Sequence, residues 1–368
     1  MIAFALLALA GLAFIVSALA TLLLVRIGTR AGTLDTPGVE NQVKRSLRGV
    51  PNIGGIGIVL GIVMALLAAY GLAASRSVPA ELLPPALSDG IVSESGPAAI
   101  VLAGLLVVHA LGLIDDRRPL PWAPKLAVML AVPVLVSWLG DTRVLTALDV
   151  RVGGAWLSIV ITAVWFALVM NAINFMDNMD GLAGGTACLI AAAISGVALK
   201  QEQWFVAGAA ACVAGSSLGF LPLNFPRARI FMGDGGSLVL GFALAFLTTR
   251  LTYLDSTINE PRWDRIIIPF VLLAVPLYDL LSVVTIRLSQ GRSPFVGDLQ
   301  HISHRFEGRG LSRPQVAVAV WTLTLIAGLG AVIVTDGTPF QSAVVACQTI
   351  GALMLLAVVE RGMPWRDE

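Results

Sequence analysis

The chain has 368 residues, of which 57% are hydrophobic and only 13% are charged. A globular protein carries about 25% charged residues, because charged side chains must cover the surface of a soluble core. This composition excludes an ordinary soluble protein and favours the lipid bilayer as solvent. The formal net charge of +1 gives no electrostatic reason to expect a nucleic-acid partner.

Apolar runs follow one another along the whole chain, and a spanning helix needs about 20 mostly apolar residues. The predicted spans are 2–25, 53–74, 98–114, 125–140, 156–173, 182–199, 204–222, 237–250, 266–286, 316–335 and 342–360. The three cysteines lie inside these runs without C-x-x-C spacing, which favours small core residues over disulfides or a metal site. The predicted fold is therefore an all-α, polytopic integral membrane protein with about 10–11 transmembrane helices, forming one domain over 1–368.

Positive charge indicates which connections face the cytoplasm, because cytoplasmic loops carry an excess of lysine and arginine. One alternate set of connections holds 17 of the 24 lysines and arginines. We expect this set to be cytoplasmic, with the N-terminus outside and the C-terminus inside. The first apolar run lacks a basic leader and a cleavage site, which favours a retained span over a signal peptide.

The same set of connections carries nearly all of the side chains suited to chemistry. Five stretches are rich in acids, amides, glycine, histidine or arginine, namely 26–52, 113–125, 171–185, 224–237 and 287–315. The connections on the other side have no comparable clusters. We therefore predict that the five stretches meet over one cytoplasmic active site.

The second stretch contains the neighbouring carboxylates of Asp115 and Asp116. Adjacent side chains on a helix point about 100° apart. We therefore expect the two acids to divide their work, one toward a cation and one toward a proton or another segment. The alternative is a solvated helix end followed by ordinary cytoplasmic arginines.

In the third stretch, Asn171, Asn174, Asp177 and Asp180 recur at intervals of three residues. On a helix these side chains would form one row. Four such groups between apolar spans are costly unless they face water, a metal or a polar ligand. Helix capping by these residue types explains one or two positions but not four, so we predict a polar-ligand site.

A glycine-rich turn, FMGDGGS over 231–237, surrounds Asp234. Ser237 is a natural N-cap for the next span, and the backbone N–H groups of such a turn can bind phosphate. Asp234 would then hold Mg²⁺, which commonly takes one or two protein carboxylates together with substrate phosphate and water. A plain turn between two spans is the alternative.

His301, His304 and Arg305 occupy positions i, i+3 and i+4 in the last stretch. Zinc is one interpretation of the histidine pair, but no third cysteine or histidine is close in the sequence. We favour an anion-binding patch, in which Arg305 offers a guanidinium fork and the imidazoles offer N–H donors. Ordinary cytoplasmic positive charge is the other interpretation.

Carboxylates for Mg²⁺, a glycine turn for phosphate and a cationic patch are together the components of phosphoryl transfer. The membrane setting indicates that one substrate is a lipid. A secondary transporter is the alternative from a different class. Transporters place ionisable groups near the membrane midplane, whereas almost every acid here lies at a predicted span end.

The five stretches resemble, in order and spacing, those of the polyprenyl-phosphate N-acetylhexosamine-1-phosphate transferases. GLIDDR, NFMD-x-x-DGLAGG and FMGD-x-GS carry the resemblance, which extends over about 20–315. It implies transfer of an N-acetylhexosamine-1-phosphate, above all GlcNAc-1-phosphate, from a UDP-sugar to undecaprenyl phosphate with release of UMP. The product would be the lipid-linked first sugar of a cell-envelope polysaccharide. The phospho-MurNAc-pentapeptide translocase of peptidoglycan synthesis is the alternative within the superfamily.

The resemblance also implies roles for individual residues. The catalytic group would be Asp115, Asp116, His301, His304 and Arg305. The nucleotide sugar would be bound by Asn174, Asp177 and Asp180, by Asn171 of the same row, and by Phe231 against the uracil. Asp234 would be the principal ligand of Mg²⁺, or of Mn²⁺ as a substitute, with Asn224 nearby and Asp115 as a further candidate ligand.

Three positions depart from the pattern of the family. Ser303 interrupts what is a run of three histidines in the translocase branch, and Pro119 stands where that branch has a lysine. Both departures favour the GlcNAc-transferase branch. Asn178 stands where many relatives carry glycine. A homodimer is an open alternative to a monomer.

Overall fold

The computed structural model describes residues 2–31, 49–79, 85–146, 149–251, 262–293 and 300–362. Every regular element in these ranges is a helix, which confirms the predicted all-α class. Parts of two predicted stretches, 32–48 and 294–299, lie outside the described residues.

Helices account for all of the predicted apolar runs. In chain order they are α1 (Ile2–Ala31), α2 (Gly55–Ser75), α3 (Pro85–Ser93), α4 (Ser95–Arg117), α5 (Trp122–Leu139), α6 (Asp149–Val152), α7 (Trp156–Met176), α8 (Leu182–Lys200), α9 (Trp204–Asn224), α10 (Asp234–Arg250), a 3-10 turn (Trp263–Ile267), α11 (Ile268–Leu272), α12 (Ala274–Ser289), α13 (Ile302–Glu307), α14 (Arg313–Asp336) and α15 (Pro339–Gly362).

Nine helices in the described ranges are long and apolar enough to cross a membrane. A tenth crossing exists if Trp263–Leu272 and Ala274–Ser289, which are bent by 71° relative to each other, form one broken span. The predicted run 237–250 is part of α10, which has 17 residues and is short for a span of about 20 residues. The chain is a multi-pass membrane protein with nine or ten such crossings in its described part.

Helix α10 occupies the middle of the bundle. All of its residues from Gly235 to Thr249 are buried, and it packs against α2, α4, α7 and α8. The rings of Phe166 and Phe242, for example, meet edge to face with their centroids 5.1 Å apart. This burial matters because the N-terminus of α10 carries the residue predicted to hold the metal.

Small residues set the distance between α1, α2 and α9. A Cβ atom on Gly215 would lie 2.7 Å from the carbonyl carbon of Ala10, and one on Gly61 would lie 2.9 Å from the Cβ of Ser17. Lipid provides no hydrophobic drive between spanning helices, so close backbone contact of this kind holds them together.

We predict that Gly215→Ala lowers the free energy of unfolding by about 1–3 kcal/mol, because the new methyl group overfills a contact between two backbones. The measurement is thermal unfolding of the detergent-solubilised protein. Gly11→Ala on α1 is the matched control, since a Cβ there meets nothing within 4 Å. Equal melting temperatures for the two variants would contradict the packing described here.

Candidate active site

The side chain of Asp116, at the end of α4, caps the N-terminus of α10. Its Oδ1 accepts a hydrogen bond from the Asp234 N–H at 2.9 Å, and its Oδ2 accepts one from the Gly235 N–H at 3.1 Å. The first N–H groups of a helix have no partner within the helix, and negative charge is favourable there. Helix α10 therefore begins at Asp234, three residues earlier than predicted, and the prediction of Ser237 as N-cap was wrong.

The cap requires glycine at position 233. Gly233 has a φ of +68°, and a Cβ there would lie 2.6 Å from Asn52 Oδ1 and 2.9 Å from Asp116 Cγ. A side chain would therefore be strained by its backbone and would also enter the carboxylate. Asn52 completes the arrangement, since its Nδ2 donates to Asp116 Oδ1 at 3.0 Å.

Phe231 lies beside this cap and joins it to the start of α2. Its N–H donates to the carbonyl of Pro51 at 2.8 Å, and its carbonyl accepts from the N–H of Gly54 at 2.8 Å. The two segments thus pair like short strands just outside the helices. This pairing brings the segment before α2 into the site.

Lys125, near the start of α5, lies between two predicted site residues. Its Nζ is 2.8 Å from Asp115 Oδ2 and also forms an ion pair with Asp234 Oδ2. Asp115 accepts a further hydrogen bond from the Leu120 N–H at 2.7 Å. On the other side, Asn174 Nδ2 donates to Asp234 Oδ1 at 2.9 Å. Side chains from two other helices, α5 and α7, therefore hold the carboxylate of Asp234.

The predicted row of four polar residues is only half helical. Helix α7 ends at Met176, Asp177 is its C-cap, and Asp180 lies in the turn before α8. The prediction of one continuous helical row was therefore wrong for its second half. Asp180 Oδ2 accepts from the Ala228 N–H at 3.1 Å, so the turn is tied to the segment between α9 and α10.

Two predicted residues bond to backbone around the acidic group. Asn171 lies one turn before Asn174, and its Nδ2 donates to the carbonyl of Ala167 in its own helix at 2.7 Å. Asn224 is buried, and its Oδ1 accepts from the Gly181 N–H at 2.7 Å while its Nδ2 donates to the Ile230 carbonyl at 2.8 Å. The amide of Asn224 thus joins two loops of the site.

Negative charge is concentrated around Asp177 at this end of the bundle. Burial, together with the carboxylates of Asp234, Asp116 and Asp180, raises the pKa of Asp177 well above its ordinary value, against a smaller opposing effect of the Gly233 N–H. A divalent cation would relieve this repulsion.

The donor set also fits such an ion. Asp115 and Asp234 converge on one position, now held by the ammonium of Lys125, and carboxylate oxygens are the protein ligands that Mg²⁺ prefers. The described residues contain no group of three or more His, Cys, Asp or Glu arranged to hold a metal ion. An ion bound here would therefore complete its shell with substrate phosphate and water.

The histidine stretch is held by a buried acid on α12. Asp279 is fully buried, and its carboxylate accepts from His301 Nδ1 at 2.9 Å and from the Ile302 N–H at 2.7 Å. The imidazole of His301 meets the ring of Phe175 edge to face, with centroids 5.1 Å apart. The guanidinium of Arg287 lies 5.3 Å from the centre of that same ring, so α7 and α12 both position His301.

Arg305 and His304 follow on α13. Arg305 Nη2 donates to Ser282 Oγ at 2.8 Å, and its Nη1 lies 3.2 Å from Glu360 Oε2. His304 Nδ1 lies 3.6 Å from Glu307 Oε2 on the same short helix. The cationic patch is thus balanced by acids from other helices as well as from its own.

Two of the departures from the family pattern contact each other. The hydroxyl of Ser303 donates to Asn178 Oδ1, and Asn178 Nδ2 donates to the Phe175 carbonyl at 2.5 Å. Ser303 is fully buried. This hydrogen bond links the histidine stretch to the turn that carries Asp177 and Asp180.

We predict that Ser303→Ala and Asn178→Ala are coupled. Each should cost about 0.5–1.5 kcal/mol of stability, and the double variant should cost less than their sum because both remove the same bond. Thermal unfolding in detergent measures this. Ser217→Ala is the control, since that buried hydroxyl has no hydrogen-bond partner within the described residues. Strictly additive losses would show that the bond contributes nothing.

Sequence reasoning missed four residues that hold the site together. Lys125 was counted only among the cytoplasmic positive charges, and Asn52 gave no signal at all. Asp279 and Glu360 did give one, because an acid within an apolar run is costly and therefore functional by default.

The fold and the site together define a multi-pass membrane protein that gathers acidic residues and a histidine and arginine cluster at one end of its helical bundle. Residues 98–252, which run from the first turn of α4 to just past the end of α10, match the family model for glycosyl transferase family 4.

Curated relatives extend this match over most of the chain. It is 32% identical over 361 residues to decaprenyl-phosphate N-acetylglucosaminephosphotransferase of Mycobacterium leprae, covering 92% of this chain and 84% of that protein. The chain is 28% identical over 354 residues to the Bacillus subtilis protein named probable undecaprenyl-phosphate N-acetylglucosaminyl 1-phosphate transferase, covering 94% of this chain and 91% of that protein. Undecaprenyl-phosphate alpha-N-acetylglucosaminyl 1-phosphate transferase of Escherichia coli K12 is 27% identical over 319 residues, covering 83% of this chain and 77% of that protein.

The chain belongs to glycosyl transferase family 4 and is an enzyme of that family. The resemblance drawn from the five stretches is thereby confirmed. The roles of the individual site residues remain predictions, although the structure brings the acidic residues and the histidine stretch to one end of the bundle.

Proposed function

We propose that the protein transfers N-acetylglucosamine-1-phosphate from UDP-GlcNAc to a polyprenyl phosphate and releases UMP. The observation that carries the proposal is the convergence of Asp115 and Asp234 on one cation position, linked through the Ser303–Asn178 bond to the histidine stretch. The relatives described above are named for N-acetylglucosamine-phosphate transfer and for polyprenyl phosphates, in agreement with this chemistry.

The reaction exchanges one phosphoanhydride for another. An oxygen of the lipid phosphate bonds to the sugar-bearing phosphorus, and the bond from that phosphorus to the oxygen of UMP breaks. A phosphate monoester has a second pKa of about 6, so the acceptor is mostly dianionic at neutral pH and needs little help from a base. The main task of the protein is therefore to bring two anions together.

We infer a direct attack by the lipid phosphate rather than a phosphorylated aspartate. Both oxygens of Asp116 already accept hydrogen bonds from Asn52 and from the first turn of α10. Asp115 accepts from Lys125 and from the Leu120 N–H. These contacts suit acids that orient and balance charge, with Asp115 or Asp116 taking any residual proton.

Asp234 and Asp115 would hold Mg²⁺, or Mn²⁺ in its place. When bound, the ion would neutralise the diphosphate and stabilise UMP as leaving group. Asn174 orients Asp234 from the α7 side. We propose that the nucleotide sugar binds at this end of the bundle, through Asn171, Asn174, Asp177, Asp180 and Phe231.

The histidine stretch would neutralise the remaining phosphate charge. Asp279 fixes the imidazole of His301, and His304 and Arg305 follow on α13. Guanidinium and imidazolium groups bind phosphate through charge-assisted hydrogen bonds. Because such donors are worth most when they are already oriented, the buried partners of these side chains are part of the proposed mechanism.

A cavity of about 770 Å³ between α12 and α15 suits the lipid acceptor. Its walls are mostly apolar and include Phe270, Leu277 and Leu353, whereas Arg305 and Arg309 lie at its polar end. A molecule with a hydrocarbon chain and a terminal phosphate matches this division. The excess of lysine and arginine at the same end of the bundle supports a cytoplasmic active site in a bacterial inner membrane.

The choice of donor tests the proposal. Detergent-solubilised protein given a polyprenyl phosphate, Mg²⁺ and UDP-GlcNAc should release UMP and form a lipid-linked sugar diphosphate. UDP-MurNAc-pentapeptide should give neither product, because Ser303 and Pro119 depart from the translocase pattern. The opposite preference would favour the translocase, and cleavage of neither donor would overturn the proposed donor.

Replacing the proposed metal ligand should stop turnover without unfolding the protein. We predict that Asp234→Asn lowers kcat at least about 10²–10³-fold, the usual effect of losing one essential charge-stabilising group. Chelation of divalent ions should have the same effect on the wild type, and added Mg²⁺ should reverse it. UMP release and thermal unfolding provide the two measurements.

Asp89→Asn is the matched control for this variant, because Asp89 is an exposed carboxylate paired with Arg76 away from the site. It should keep wild-type turnover. Near-normal turnover of Asp234→Asn would remove Asp234 from the metal site.

A further inference from the structure

The last helix of the chain buries an acid that the proposed function does not yet use. Glu360, near the end of α15, is 4% exposed. A charged group within an apolar helix is costly unless it is paired, and it is therefore a marker of function. The residue lies outside 98–252, where the family model matches, and outside the stretches that carry the family resemblance.

Glu360 is paired with the arginine of the histidine stretch. Its Oε2 lies 3.2 Å from Arg305 Nη1 and accepts a hydrogen bond from the Tyr278 hydroxyl at 3.0 Å. Arg305 donates through its other terminal nitrogen to Ser282 Oγ at 2.8 Å. The two ends of the guanidinium fork are thus held by α15 and by α12, and the plane of the fork is fixed between them.

The simplest role for such a pair would be to hold two helices together, but α15 already has a polar contact of that kind at its other end. At its other end, Ser342 donates to Asp264 Oδ2 at 2.5 Å, and Asp264 is also paired with Arg262. None of these residues belongs to the site. At the site end, by contrast, the partner of Glu360 is the arginine predicted to face phosphate, and both residues line the same cavity.

We propose that Glu360 is a positioning residue for Arg305. Together with Tyr278 it holds the guanidinium at the polar end of the cavity, oriented for a phosphate group before the substrate arrives. The inference rests on the proposed function, and it makes the C-terminal helix a part of the active site.

The test is a double-variant comparison in the UMP-release assay with UDP-GlcNAc and a polyprenyl phosphate. Glu360→Gln should lower kcat/KM for the polyprenyl phosphate about tenfold, the scale of one hydrogen bond to a charged group. Glu360→Asp, which keeps the charge, should recover part of this loss. Arg305→Lys keeps the charge of the arginine but not its fork, so Glu360→Gln should change kcat/KM less than about twofold in that background.

Asp264→Asn is the matched control, because it breaks a contact of the same helix away from the site. It should lower the melting temperature and leave kcat/KM unchanged. An equal fold-loss from Glu360→Gln in the wild-type and Arg305→Lys backgrounds would overturn the positioning role, since a structural effect is independent of the fork. Wild-type protein that releases no UMP would overturn the proposed function and this inference together, whereas active wild type with independent losses would overturn this inference alone.

Discussion

Repulsion between carboxylates is the constraint on which the rest of this structure depends. One end of the apolar bundle gathers four partly buried carboxylates, those of Asp115, Asp116, Asp177 and Asp234. The fold compensates with the N–H groups at the start of α10 and with Lys125 and Asn174. These compensating groups come from α5, α7 and α10, and α4 carries Asp115 and Asp116. The four helices must therefore begin or end at the same level. A short α10, buried from Gly235 to Thr249, is the result.

The same principle operates in the histidine stretch with the signs reversed. Asp279 and Glu360 are acids inside mostly apolar helices, and each holds one member of the stretch, His301 or Arg305. Burying a charge costs several kcal/mol unless a partner is present, so each acid would destabilise the fold without its partner. In the acidic half of the site, hydrogen-bond donors hold the carboxylates. In the histidine stretch, buried carboxylates hold the imidazole and the guanidinium.

Much of this was predictable from the sequence, because apolar length and polar residues at span ends are local signals. The helices, the five stretches and the family could be recognised in this way. The start of α10 could not, since its cap is the side chain of Asp116, 118 residues away. The row from Asn171 looked helical throughout because its spacing is regular, although α7 ends at Met176. Pairings such as that of Lys125 with Asp234 join distant segments and leave no periodicity to read.

The 71° bend between α11 and α12 lies at the wall of the cavity proposed for the lipid acceptor. It therefore bears on how that substrate would enter. Phe270, Leu281 and Ile350 line the cavity beside Arg305 and are 53%, 58% and 53% exposed on the outside of the bundle. The apolar wall of the cavity therefore reaches the helix surface that would face lipid. Each methylene that leaves hydrocarbon for water costs about 0.8 kcal/mol. A molecule with a long hydrocarbon tail can therefore enter along the membrane plane. Its head group reaches the polar end of the cavity while its tail stays in an apolar environment.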